Sequence, residues 1–121
     1  MQEYSNEEID ALGLQIGCLV RVERLRKKIS QETLGLMIGS NNTTIGRIER
    51  FENDTNWKHL FKICQALNLD FLLLFNLKSL TELLSIVKEC IELEDRLTTQ
   101  KEQYYKDLEI KIKKVFEGIS S

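Results

Sequence analysis

The stretch from Gln31 to Arg50, QETLGLMIGSNNTTIGRIER, decides how this chain folds. Leu34 and Ile38 lie four apart and share one face of a short helix, and Ile45 and Ile48 lie three apart and share a face of a second. The two apolar faces are separated by a turn at Gly39, a place that favours a residue able to adopt positive φ. Gly35 leaves no side chain where the helices would cross. Ser30 is placed to cap the first helix, and Asn41 or Asn42 the second, through side-chain oxygens that accept unpaired first-turn amides. The spacing predicts two short helices crossing steeply.

Upstream, Ile9, Leu12, Ile16, Leu19, Val20 and Leu25 recur at three- and four-residue steps and predict a helix from about Glu7 to Lys27, with an extra turn or break near Gly13 or Gly17. Met1 to Asn6 has no clear pattern and reads as a frayed lead-in. Downstream, a helix starting near Asn56 carries Trp57, Leu60, Phe61, Ile63, Cys64 and Leu67 on an apolar face that closes over the first pair, with Trp57 as its lid. Residues 70–76 fit either a short helix capped by Asp70 or a buried strand, and the short helix is preferred.

From Leu77 onward there is no Gly until Gly118. Ser79-Leu80-Thr81-Glu82 is a capping box, and Thr99-Gln100-Lys101-Glu102 reads as a second. Leu80, Leu84, Val87 and Ile91, then Tyr105, Leu108, Ile112 and Val115, follow coiled-coil steps, but Glu94, Thr98 and Lys101 interrupt the seam between them. The segment is either one long helix with a polar middle or a hairpin bent near residues 97–100. Either form buries the apolar stripes against a partner or against each other, and these residues are the expected dimerisation contacts.

The central stretch resembles the Xre-type regulators, the family that includes the phage Cro and repressor proteins. Ser30, Gln31, Leu34, Gly39, Thr44, Ile45, Arg47, Ile48 and Glu49 match the family's Ser-Gln, Leu, Gly and Thr-Ile-x-Arg-Ile-Glu in register. Leu60, Ile63, Ala66 and Leu67 continue the match, which runs from about Ile16 to Leu69, a little under half of the chain. The resemblance implies an all-α, five-helix lambda-repressor-like domain, and the expected division is 7–76 for this DNA-binding unit and 77–121 for a C-terminal oligomerisation segment.

The same resemblance implies the roles of individual residues. In a helix-turn-helix the N-terminal end of the second helix reads base edges, and the positions here are Asn41, Asn42, Thr43, Gly46 and Arg47 on a helix expected over 42–51. An Asn can pair with adenine, an Arg with guanine, and a Thr methyl can touch thymine. Gln31, Arg50, Asn56 and Lys58 are the expected DNA backbone contacts. Arg24 and Glu49 are expected to form a partly buried structural ion pair. The chain departs from the family at Lys28, where Gly is frequent, and at Phe51 and Thr55, which replace a frequent Gly and Pro.

Composition sets limits on these expectations. A chain of 121 residues with 42% hydrophobic content holds one small domain and an extension. The formal charge is -2, with 17 Lys and Arg against 19 Asp and Glu, so neither the whole nor either half is basic. Phosphate attraction must then come from a local cluster, for which Arg21, Arg24, Arg26, Lys27 and Lys28 are the candidates. Carboxylates at Glu52 and Asp54 would oppose it unless they pair with Arg50 or Lys58.

Cys18, Cys64 and Cys90 lack metal-ligand spacing and read as buried structural thiols in a reducing cytoplasm. His59 has no partner for catalysis, and neither a nucleophile-base set nor a phosphate loop is present, so an enzyme is not expected and no cofactor or metal is required. The longest apolar run, Phe71 to Phe75, is too short to span a bilayer.

The sequence as a whole predicts a cytoplasmic, sequence-specific DNA-binding transcriptional regulator, a homodimeric repressor on a palindromic operator in double-stranded DNA. The alternative is an antitoxin or interaction protein whose C-terminal helices bind a protein partner.

Overall fold

A computed structural model describes residues 3–52 and 55–120. Among these the chain is all-helical: α1 (Asn6–Arg26), α2 (Gln31–Met37), α3 (Asn42–Glu49), α4 (Trp57–Leu67), a short 3-10 helix (Phe71–Phe75), α5 (Leu80–Leu93) and α6 (Thr99–Ser120). None of these helices is long and apolar enough to cross a membrane.

Local chemistry sets the helix starts. Ser5 and Glu8 form a complete capping box, so α1 begins at Asn6, earlier than its apolar periodicity indicates, and Tyr4 to Asn6 is a built cap. Ser30 caps α2, Asn41 caps α3 by accepting from Thr44 N at 3.0 Å, and the Ser79–Glu82 box opens α5. The expected second box is displaced by one residue: Lys101 N donates to Thr98 Oγ1 at 3.2 Å, so Thr98 is the cap and Thr99 already helical.

Helices α1 to α4 all end in one way, on a residue of positive φ: Lys28, Gly39, Phe51 and Asn68. In α1 the amides of Lys28 and Ile29 return to the carbonyls of Leu25 and Arg24, the doubly hydrogen-bonded C-terminal turn in which glycine is the least strained residue. Three of the four positions carry side chains, and among the described residues Lys28 makes no side-chain hydrogen bond or ion pair that would hold it there. Lys28→Gly should therefore stabilise the protein by ~1 kcal/mol, the left-handed strain relieved less the added chain entropy. A rise in urea midpoint at unchanged slope checks this.

The helices enclose two apolar clusters with α1 between them. On one side Val20 packs with Leu34, Ile38, Ile45, Ile48, Leu60, Ile63, Cys64, Leu67 and Leu74. On the other Leu14, Cys18 and Val22 pack with Leu83, Val87, Cys90, Tyr105, Leu108 and Ile112. Helix α1 is unbroken at both glycines, which instead permit close approach. A Cβ on Gly13 would lie 2.0 Å from the Phe51 ring, and one on Gly17 2.6 Å from the Glu49 carbonyl oxygen. Three free cysteines are buried, and burial pushes the Cys18 and Cys90 thiols up to about 12, as suits packing residues.

Residues 77–120 take the hairpin form, bent over 94–98, and the hairpin folds back on α1 of its own chain. This revises the role expected for the heptad residues. Val87, Tyr105, Leu108 and Ile112 are buried within one chain, and Leu80, Leu84, Ile91 and Val115 pack half-buried on the same cluster. The physical reason is the interruption at Glu94 to Thr98: the bend lets each stripe face α1 in place of a second copy.

Gln15, wholly buried, joins the two halves. Its Nε2 donates to the carbonyls of Leu74 (3.0 Å) and Asn76 (2.8 Å), and its Oε1 accepts from Lys78 N at 2.7 Å. A single side chain thus satisfies the backbone where the 3-10 helix hands over to α5.

Candidate nucleic-acid interface

Helices α2 and α3 are placed by the first cluster, into which Leu34, Ile38, Ile45 and Ile48 all point. A Cβ on Gly35 would come within 2.4 Å of the Asn41 carbonyl carbon, so the absence of a side chain allows the tight turn between them. With Ile45 and Ile48 facing inward, Asn42, Thr43 and Arg47 are exposed on α3. Among the described residues Arg47 carries no ion pair, and its guanidinium is available as a fork of donors.

Other candidates are differently engaged. The Asn41 side-chain oxygen is occupied as the α3 cap. Gly46 is buried, and a Cβ there would meet Arg50 Nη1 at 2.8 Å, so the Arg50 guanidinium covers the position expected to approach bases. Arg50 itself donates to Glu52 from Nε at 2.9 Å and from Nη2 at 3.3 Å, which holds its guanidinium well protonated and the Glu52 carboxyl below its ordinary range. Asn56 caps α4 by accepting from Lys58 N at 2.8 Å, and Lys58 is exposed beside the Trp57 ring. Asp54 lies outside the described residues. Trp57 is 64% exposed and is no lid, because the first residue of α4 sits beyond the edge of the core that Leu60 and Ile63 enter.

The basic cluster at the end of α1 is also engaged. Arg24 donates from Nε to Glu49 Oε2 at 2.6 Å, from Nη2 to Glu49 Oε1 at 3.1 Å, and from Nη1 to the Ile29 carbonyl at 2.9 Å. Glu49, 3% exposed, also accepts from Gln31 Nε2 at 3.1 Å, so the Gln31 amide turns inward. Arg21 is buried, with its Nε 3.5 Å from Glu49 Oε1 and its guanidinium over the Tyr104 and Tyr105 rings. Arg26 pairs with Glu23 and with Glu89, and Lys27 with Glu23. Of the five cations, Lys28 alone has no side-chain partner among the described residues. Arg21 and Arg24 are buried against Glu49, whereas Arg26 and Lys27 are exposed and pair with carboxylates at the surface.

Sequence reading gave Arg21, Phe51 and Tyr105 other roles and passed over Tyr104; together these four join the reading helix to the hairpin. Tyr104 OH lies 3.5 Å from the Glu49 carbonyl oxygen, Tyr105 OH bonds to Glu94, and the Phe51 ring enters the second cluster. One signal was present: Arg21 lies between Val20 and Val22 and three residues before Arg24, on the side of α1 that meets Glu49.

The profile of the helix-turn-helix family matches residues 20–74, the segment that spans the last third of α1, α2, α3, α4 and most of the 3-10 helix. No curated protein and no solved structure matches the chain. With two crossed helices, a shared apolar cluster and an exposed polar edge on α3 in that same segment, residues 20–74 are a helix-turn-helix DNA-binding domain of the Xre type.

Proposed function

We propose that the protein is a cytoplasmic, homodimeric transcriptional repressor that reads an operator with two half-sites about one helical turn apart. Residues 7–76 form the reading unit, and the hairpin of residues 77–120 braces it. The observation that carries the reading is the exposure of Asn42, Thr43 and Arg47 together on the α3 edge, opposite the buried Ile45 and Ile48. Their amide, methyl and guanidinium groups match adenine, thymine and guanine edges. Arg50, Asn56 and Lys58 border the groove and position the backbone, and Gln31, whose side chain is held by Glu49, contributes its main-chain N–H at the start of α2. Repression follows from occupying DNA that polymerase needs.

Few cations are free, so affinity must come from base contacts more than from phosphate neutralisation. With two to three phosphate contacts per head, log K against log salt should fall with a slope of about −4 to −5 for the dimer. Fluorescence anisotropy on a labelled operator duplex and a scrambled duplex measures this. Equal affinity for both duplexes would overturn sequence-specific reading.

A second face supports pairing of two copies. Phe61, Phe71 and Phe75 stack edge to face at 5.6 and 5.2 Å, flanked by Trp57, by Leu72 (73% exposed) and by Leu73. A hollow of about 420 Å³ continues this face from Phe75 and Leu77 to Tyr4 and Ile9. Trp57, Leu72, Leu73, Phe75, Leu77, Tyr4 and Ile9 are all exposed large hydrophobic residues, and an apolar patch of this kind marks an interaction surface. Leu72→Glu with Leu73→Glu should leave the fold intact and turn a dimer into a monomer in sedimentation velocity. A wild-type protein that sediments as a monomer at operator-binding concentrations would remove homodimerisation from the account.

A further inference from the structure

A cavity of about 480 Å³ lies between the end of α1, the starts of α2 and α3, and the hairpin turn. Its size suits a small organic molecule. The charges lining it fall into two sets. Arg24 is fully engaged by Glu49 and the Ile29 carbonyl, and Glu94 by Tyr105 and Lys101. By contrast Lys28, Glu32 and Asp95 make no side-chain hydrogen bond or ion pair among the described residues. At the inner wall Arg21 is 8% exposed, and its Nε makes no hydrogen bond.

The buried Arg21 guanidinium is held only by long contacts, Nε at 3.5 Å from Glu49 Oε1 and Nη1 at 3.5 Å from the Tyr105 hydroxyl, and a ligand oxygen that reorganises Arg21 would give it a shorter hydrogen bond. A DNA phosphate is a poor fit, because Glu32, Glu94 and Asp95 would repel it. A molecule with one charge of each sign satisfies both sets, its carboxylate toward Arg21 and Lys28 and its ammonium toward Glu32 and Asp95.

We propose that this cavity binds a small zwitterion of the free amino-acid class, and that binding weakens the hold of the protein on DNA. The second part rests on the DNA-reading function above. Asn42, the first residue of α3, forms part of the cavity wall, so a ligand that bonds its amide competes with a base. Arg21 and Arg24 share Glu49, the last residue of α3, so the ligand acts on both ends of the reading helix.

The test titrates the full-length protein by calorimetry with each of the twenty common L-amino acids singly, and with acetate and ethylamine as single-charge probes. DNA binding without ligand is measured first on the same preparation, so a failure to bind DNA counts against the function and leaves the ligand titration interpretable. At least one amino acid should bind, neither acetate nor ethylamine should match it, and saturation should lower operator affinity by about fivefold or more. Lys28→Gly, which keeps the helix end, should weaken ligand binding roughly tenfold, and Asp95→Asn should weaken it too. Absence of binding by all twenty, equal binding of acetate, or binding that leaves operator affinity unchanged would each overturn the proposal.

Discussion

Glu49→Gln should lower the free energy of unfolding by about 3–5 kcal/mol, the largest loss expected from any single polar substitution in this chain. Glu49 is the shared counter-charge of two buried arginines, Arg24 at 2.6 Å and Arg21 at 3.5 Å. Gln keeps the shape but removes the charge, so two guanidinium groups remain out of water with no anion between them. It also presents an amide where Arg24 and Gln31 both donate to carboxylate oxygens. Urea denaturation of Glu49→Gln, Arg24→Met and the double variant separates the terms. The double variant should be more stable than Glu49→Gln, because it removes one of the stranded charges. A loss below about 1 kcal/mol in Glu49→Gln would mean that the network is open to water and that Glu49 does not fix α3.

Gly17→Ala should cost about 1–3 kcal/mol and should weaken DNA binding beyond what the lost stability explains. The added Cβ would lie 2.6 Å from the Glu49 carbonyl oxygen and 2.9 Å from that of Ile48. Both are backbone atoms at the end of α3, with no rotamer to change, so the reading helix itself must move away from α1. Gly46→Ala provides the contrast. Its Cβ would meet only the Arg50 guanidinium, the far end of a flexible side chain, and alanine is favoured over glycine inside a helix by about 1 kcal/mol. Denaturation should therefore show Gly17→Ala destabilised and Gly46→Ala unchanged or stabilised. Equal effects at the two positions would contradict the close approach of α1 to α3.

The reading head was legible in the sequence because its determinants are local. Apolar spacing, one positive-φ glycine and first-turn caps are sufficient to place α2 and α3 within a residue or two. The site was legible only in part. Asn42, Thr43 and Arg47 are exposed, whereas Gly46 is covered by Arg50 and Gln31 turns toward Glu49, because a carboxylate 18 residues away in sequence lies beside it in space. In the basic run of α1, Arg21 and Arg24 turn inward for the same reason, while Arg26, Lys27 and Lys28 stay exposed. A string of Arg and Lys reads as a solvated or phosphate-facing end, but Glu49, Glu23 and Glu89 meet it, two of them on other helices.

The C-terminal segment shows the limit of periodicity. A heptad stripe specifies an apolar face and leaves open whether a second chain or the same chain covers it. Glu94 to Thr98 supplies the bend, and Cys18, Leu14 and Val22 supply the covering surface, which a reading of α1 as a one-sided helix does not reveal. Phe51 and Lys28 stand where glycine would be the easier choice. The Phe51 ring, seated against Gly13, fastens the end of the reading helix to the second cluster. The Lys28 side chain has no such packing role and lines the cavity beside the hairpin turn.

The most direct test of the central claim is selection of bound duplexes from a random DNA pool by the wild-type protein and by Asn42→Ala with Arg47→Ala. Both residues are exposed on α3, so the double variant should fold normally. The account predicts that the wild type enriches a palindromic site with half-sites about one helical turn apart, and that the variant enriches none. A folded wild type that enriches no sequence, or a double variant that recovers the same site, would contradict reading of DNA by α3.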